Sequence, residues 1–203
     1  MSSAASVGTK GVPRAERESQ IVAVAVDEFA ASGYAGASMA LIARRAGISK
    51  PLIYQYFGSK DGLFLACLHR VAGALLGRLE LAHLQEDDSV ASRVHTLSAI
   101  FEALAPQRSA WRLLYDTTMP TSDAIAEAAL SYQHRTAELA ATGSERFLRS
   151  RGTASKLDAG ALSAAWMGLV NALVGWWTEH PEESAEDMTQ RCYRLIAAVI
   201  GTP

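Results

Sequence analysis

The sequence predicts an all-α protein of about nine helices, on three observations. Apolar residues recur at three- and four-residue intervals through most of the chain. Alternating runs rich in Val, Ile and Thr, which strands require, do not occur. Glycine, proline and capping residues fall between the periodic segments. With 203 residues, 49% hydrophobic and 20% charged, the chain can bury a core and is too apolar to be disordered. The formal net charge of −2 excludes a highly basic, histone-like binder. Two cysteines, Cys67 and Cys192, are too few for a disulfide framework or a multi-cysteine zinc site. They fit a reducing compartment, the cytoplasm.

Each element follows in order. Residues 1–13 read as a disordered tail, without the apolar core of a secretory signal. Residues 14–32 put Ile21, Ala25 and Phe29 on one stripe with Val22 and Val26 beside it, and Gly33 ends that helix. Met39, Ile42, Ala43 and Ala46 space a second helix, capped by Ser38 and ended by Gly47. A third follows Ser49, with Pro51 in its first turn, and stops near Phe57 at Gly58. Ser59 caps a longer helix at about 60–83, whose Gly62 is a poor helix former and predicts a loosened first turn. After Glu86-Asp87-Asp88, helices are expected at about 89–105, 107–117, 122–150, 157–179 and 184–200. Pro106, Pro120, Gly152 and Pro181 mark the junctions, and Ser184 with Asp187 resembles a capping box.

One segment calls for a membrane test. From Ala159 to Thr178 no residue is charged, which is long enough for a span. Three glycines, Ser163, Asn171 and Thr178 interrupt it, and no basic cluster flanks it. It reads instead as a helix buried all round, in a core or between subunits, and no membrane partner is expected.

Residues 38–57 form two short helices around a glycine turn, the helix-turn-helix plan. The second keeps Ile48, Ile53 and Phe57 for packing and presents Ser49, Lys50, Leu52, Tyr54, Gln55 and Tyr56. Gln can bond adenine, Lys guanine or phosphate, Leu a thymine methyl, and Tyr hydroxyls bond phosphate oxygens. Lys60 opens the next helix, where a cation opposes the dipole and a phosphate partner would justify it.

The stretch from Phe29 to Phe64, with the pattern F…GY…S…IA…AGIS…YxYFxSKxxL, resembles the DNA-binding domain of the tetracycline-repressor-like (TetR) family of bacterial transcriptional regulators. The resemblance covers about residues 14–64 and implies a homodimer on a palindromic double-stranded operator. It implies that Ser38, Ser49, Lys50, Leu52, Tyr54, Gln55, Tyr56 and Lys60 touch DNA. It divides the chain into a DNA-binding domain at 14–60 and a helical ligand-binding and dimerisation domain at 61–203. A small-molecule effector bound in the second domain would displace the helix at 60–83 and respace the recognition helices. Repression is the usual sense of regulation, with activation the alternative. An all-α ligand-binding module without DNA function would leave Tyr54, Gln55 and Tyr56 unexplained.

Candidate pocket residues are Phe101, Trp111, Tyr115, Met119, Trp166, Met167 and the polar Asn171. Candidate dimer contacts, on the last two helices, are Leu173, Trp176, Trp177, Cys192, Leu195, Ile196 and Val199, with both tryptophans at the interface rim. No phosphate-binding Gly-rich loop, G-x-S-x-G elbow or H-E-x-x-H motif occurs, so no catalytic residue is expected. No His or Cys pair has metal-ligand spacing, and no metal or cofactor is expected. Residues 1–60 carry seven basic and four acidic residues, +3, and residues 61–203 carry twelve and seventeen, −5. This polarity orients a basic head toward DNA and an acidic body away from it.

Overall fold

The computed structural model describes residues 12–84, 89–115 and 123–200. Among these, nine α-helices and no strand occur. They are α1 (Arg14–Gly36), α2 (Met39–Arg45), α3 (Lys50–Phe57), α4 (Lys60–Leu84), α5 (Val90–Leu104), α6 (Trp111–Leu114), α7 (Asp123–Arg149), α8 (Lys156–Thr178) and α9 (Ala185–Ile200). The expected tail falls largely outside the described residues, as does Met119. The single helix expected at 107–117 is a 3₁₀ turn, Arg108–Ala110, followed by the one-turn α6.

Most boundaries have local causes. Gly33 takes φ 67° and breaks the helical path of α1, which resumes for three residues. A side chain there would be strained, so glycine sets the bend. Ser38, Ser89 and Ser155 cap α2, α5 and α8 by accepting N–H bonds from Leu41, Ser92 and Asp158. Ser184 and Asp187 bond reciprocally at the start of α9, each accepting the other's backbone N–H at 3.1 Å.

α4 runs through the whole molecule. Its first half buries Leu63, Phe64 and Cys67 against α1 and α3, and its second half packs on α5 and α7. Phe64 meets Phe29 edge-on at 4.9 Å and Tyr34 at 5.3 Å. Each such aromatic pair contributes about 0.5–1.5 kcal/mol beyond its area. α9 lies along α5, and α7 along α8. α8 buries only the stripe Ala159, Val170, Val174 and Trp177 and leaves Leu157, Leu169 and Trp176 exposed. The expectation of a helix buried all round within the chain therefore fails: α8 has an apolar face toward solvent. α4 and α8 are both long and apolar enough to cross a membrane by length and composition, and α4 is the more deeply packed.

Candidate functional site

The recognition face is set by two glycines and a serine. Gly47 at φ 66° turns the chain after α2, and its N–H and that of Ile48 bond Arg44 O and Ala43 O. This aims α3 away from α2 while Ile42 and Ile53, both fully buried, hold α2 on α1 and α3 on α2 and α4. Gly58 at φ 73° ends α3, and Ser59 Oγ accepts Gly62 N–H at 2.9 Å to start α4. Ser49 occupies the cap position of α3, but its hydroxyl makes no capping bond. That hydroxyl therefore stands with the first-turn N–H groups, a geometry that suits an anion. Neither α2 nor α3 has an acidic residue in its first turn, and Arg44 and Arg45 close α2.

Ser49, Lys50, Tyr54 and Gln55 share one exposed face. Lys50, Pro51, Tyr54 and Gln55 line a shallow hollow, with Lys50 Nζ 6.0 Å from the Tyr54 ring centre. Leu52 and Tyr56 are half-buried, and the Arg14 guanidinium lies 4.9 Å over the Tyr56 ring. Ser38 is exposed, with its hydroxyl engaged in the α2 cap.

Lys60 differs from expectation. Its ammonium has partners inside the chain, donating to Ala35 O at 3.3 Å and Ala37 O at 2.8 Å and lying 4.8 Å over the Tyr34 ring. The helix dipole at its own position is thus offset by carbonyls at the end of α1, not by phosphate alone. Tyr34 in turn donates to Asp61. Burial first, then that bond, push the Tyr34 phenol up to about 12, so it stays a donor at neutral pH. Lys60→Met is expected to lower unfolding free energy by about 1–2 kcal/mol, from lost charge-assisted bonds at a part-exposed site, measured by urea titration.

Two contributors escape the sequence pattern, Glu28 and Arg45. Glu28 is buried, accepts Ser38 N–H at 3.1 Å and faces Arg45 at 3.8 Å. The available signal was phase: Glu28 stands seven residues after Ile21, on the apolar side of α1. A carboxylate there needs a partner, and its partners fix where α2 begins.

The second candidate site lies among α4–α9, in two cavities. An inner one of about 40 Å³ lies between α4, α5, α7 and α8, beside Trp111, Trp166 and Met167. An outer cleft of about 330 Å³ lies between α5, α7, α8 and α9, and Trp166 also lines it. The other expected pocket residues lie elsewhere. Phe101 is fully buried and packs edge-on against Trp177 at 5.2 Å. Tyr115 stands at a crevice of about 10 Å³. Asn171 accepts the Trp111 Nε1–H at 3.1 Å, which accounts for a polar group in an apolar helix.

The expected dimer contacts also divide. Leu173, Cys192, Leu195 and Ile196 line the outer cleft. Trp177 is 0% exposed, with Nε1–H donated to Glu183 O and the Arg108 guanidinium 4.2 Å over its ring. Cys192 is 1% exposed. Neither side chain has surface to offer a partner, which corrects the rim assignment for Trp177. Trp176 is 38% exposed and stacks on His180. The side chain of Val199 lies outside the described part. Burial pushes the Cys67 and Cys192 thiols up, Cys192 to about 11, so neither forms a thiolate at neutral pH.

The comparisons with known proteins fit this geometry. The family model for bacterial regulatory proteins of the tetR family matches residues 21–67, spanning most of α1, all of α2 and α3 and the start of α4. A TetR-like transcriptional regulator from Rhodococcus sp. RHA1 has a solved structure that superposes with TM-score 0.68 at 28% identity, over 95% of this chain and 100% of that one. Residues 21–67 therefore match the tetR family of bacterial regulatory proteins, and the chain as a whole has the fold of a TetR-like regulator. Among curated relatives, the HTH-type transcriptional activator FasR of Mycolicibacterium smegmatis is 33% identical over 57% of this chain and 52% of its own. The fold also matches FadR from Bacillus subtilis in complex with stearoyl-CoA, with TM-score 0.69 at 16% identity over 90% of this chain and 97% of that one. The chain spans about half or less of the length of the first curated relatives it matches.

Proposed function

We propose that this protein is a ligand-responsive transcriptional regulator that binds a palindromic operator as a homodimer in the cytoplasm. The observation that carries the reading is the α3 face. Ser49, Lys50, Tyr54 and Gln55 stand exposed on a helix fixed by buried Ile42 and Ile53, and no acidic residue opposes a phosphate at its start. The units would divide near residue 60, where α4 leaves the recognition face. Lys60 anchors the end of α1 and still carries its charge toward the backbone of the DNA.

The apolar surface of α8 and α9 supports the homodimer. Leu169, Trp176 and Leu195 are exposed beside Leu173 and Ile196, and a second copy of the same face covers them by an isologous contact. Two recognition helices then meet major-groove faces about 34–36 Å apart.

α4 supports the response. It is a continuous helix, about 37 Å long by its rise, that touches α3 at one end and borders the inner cavity through Leu75, Leu79 and His83 at the other. A ligand that favours a shifted α4 misregisters one half-site, by as much as its affinities for the two states differ. FadR's complex with stearoyl-CoA places a ligand in a protein of this fold. Release from the operator, hence repression, is the sense proposed. Activation is the second reading, favoured by FasR, an activator by name.

Selection of bound sequences from random DNA tests the reading. A palindrome with half-sites one helical turn apart is expected, and no enrichment above background would refute it. Gln55→Ala is expected to lose about 1–3 kcal/mol of discrimination at a single base position. Binding titrations against operators varied one position at a time check this, and equal loss at every position would remove Gln55 from base reading.

A further inference from the structure

We infer that Arg14, in the first turn of α1, is a further DNA contact: it grips a backbone phosphate at the flank of α3, placed there by the Tyr56 ring. This adds a contact from outside α2 and α3 to the DNA-binding reading above, on which it rests.

Phase and size select a phosphate. Tyr56 follows the exposed Gln55 by one step, about 100° around α3, so it stands on the flank of the recognition face. The Arg14 guanidinium lies 4.9 Å over its ring on that flank. A helix with its side chains is about 10–12 Å across, and the major groove is about 12 Å wide. With α3 seated in the groove, its exposed face meets base edges and its flank meets the phosphates that wall the groove. Tyr56 also lies in the last turn of α3, whereas the N-terminal residues of a recognition helix are the ones that reach bases.

Charge and mounting select Arg14. Arg17 donates to Gln20 at 3.1 Å, and Arg45 faces Asp27 and Glu28 at 3.7 and 3.8 Å. The N–H groups of the exposed Arg14 have no acceptor among the described residues. In the first turn of a helix its cation opposes the macrodipole, so helix stability does not account for it. Lying over the Tyr56 face uses none of its five N–H donors, and the whole fork is offered to a phosphate. The start of α1 is itself fixed. Arg70 of α4 donates to Ser19 O at 2.8 Å and to Ser19 Oγ at 3.3 Å, and Ile21 is fully buried. A guanidinium held over one ring and carried on an anchored helix loses little freedom on binding, which favours the contact.

The experiment uses the full chain with the duplex obtained by selection, a random-sequence duplex of the same length, and selected duplexes carrying one neutral methylphosphonate in place of a phosphate. Affinities are measured over salt from about 50 to about 300 mM. Arg14→Met is expected to weaken both unmodified duplexes, by about three- to tenfold on the selected one, and to lower the salt slope by roughly one for each half-site. Its melting temperature is expected to match wild type, because the side chain is exposed. Arg14→Lys is expected to restore the slope. In a Tyr56→Leu background, Arg14→Met is expected to cost less than in wild type, since the ring that places it is gone. At one phosphate in each half-site, the neutral substitution is expected to weaken wild type and leave Arg14→Met unaffected. Unchanged affinity and slope for Arg14→Met, with wild type binding the selected duplex, overturn the contact and leave the DNA-binding reading standing. A loss confined to one base position overturns the phosphate role. A loss with a lowered melting temperature, and no phosphate at which wild type and variant converge, makes Arg14 a prop for Tyr56 and overturns direct contact. Failure of wild type to bind any duplex refutes the DNA-binding reading and the contact with it.

Discussion

Gly62→Ala is expected to destabilise the chain by about 3 kcal/mol, lower the melting temperature by roughly 6–12 °C and abolish operator binding. Helix propensity alone predicts the opposite sign, a gain of about 1 kcal/mol, because glycine in a first turn of helix is unfavourable. Packing decides between them. A Cβ at position 62 would stand 2.0 Å from Phe57 O and 3.2 Å from Phe57 C, both backbone atoms. A flexible side chain could swing aside, but this carbonyl belongs to the last turn of α3 and also accepts the Ser59 N–H. Any side chain at 62 therefore pushes α3 and α4 apart. The same contact that forbids alanine makes the end of α3 and the start of α4 move as one body. Thermal melts with an operator titration check this, and a variant as stable as wild type would show that the turn can yield.

This contact marks the limit of what sequence reveals. The bounds of α1 to α4 were legible because they are local: Ser38 and Ser59 bond N–H groups three residues on, and Gly47 and Gly58 take left-handed φ. The exposed face of α3 was legible because Ile53 is in register with the core and Tyr54 and Gln55 are not. Gly62 was misread as a loose turn because its neighbour, a carbonyl brought close by the Gly58 turn, has no trace in periodicity. The intrachain partners of Lys60 were illegible in the same way, since Ala35 O and Ala37 O are backbone atoms more than twenty residues away. The cleft was illegible for a larger reason. It exists because α9 packs along α5 and α7 along α8, and hydrophobic stripes do not record which helix each one meets.

The adjacent tryptophans give the sharpest separation of core from interface. Trp177→Ala is expected to lower unfolding free energy by about 3–5 kcal/mol, independent of protein concentration. Its ring fills the space between Phe101 and Arg108, and its N–H holds Glu183 O, which fixes the turn into α9. Truncation leaves a cavity that these fixed neighbours cannot close. Trp176→Ala is expected to cost the folded protomer less than about 1 kcal/mol, because the ring lies partly in solvent on His180. Its effect is expected on association, so the apparent stability of the proposed dimer becomes more dependent on concentration. Chemical denaturation at two protein concentrations, with sedimentation equilibrium, distinguishes the two. The phase of α8 supplies the reason, since Trp177 follows Val170 and Val174 at i+7 and i+3 and one step along the helix turns Trp176 about 100° out of that stripe. If instead Trp177→Ala weakens association and spares the protomer, α8 faces its partner with the stripe assigned here to the core.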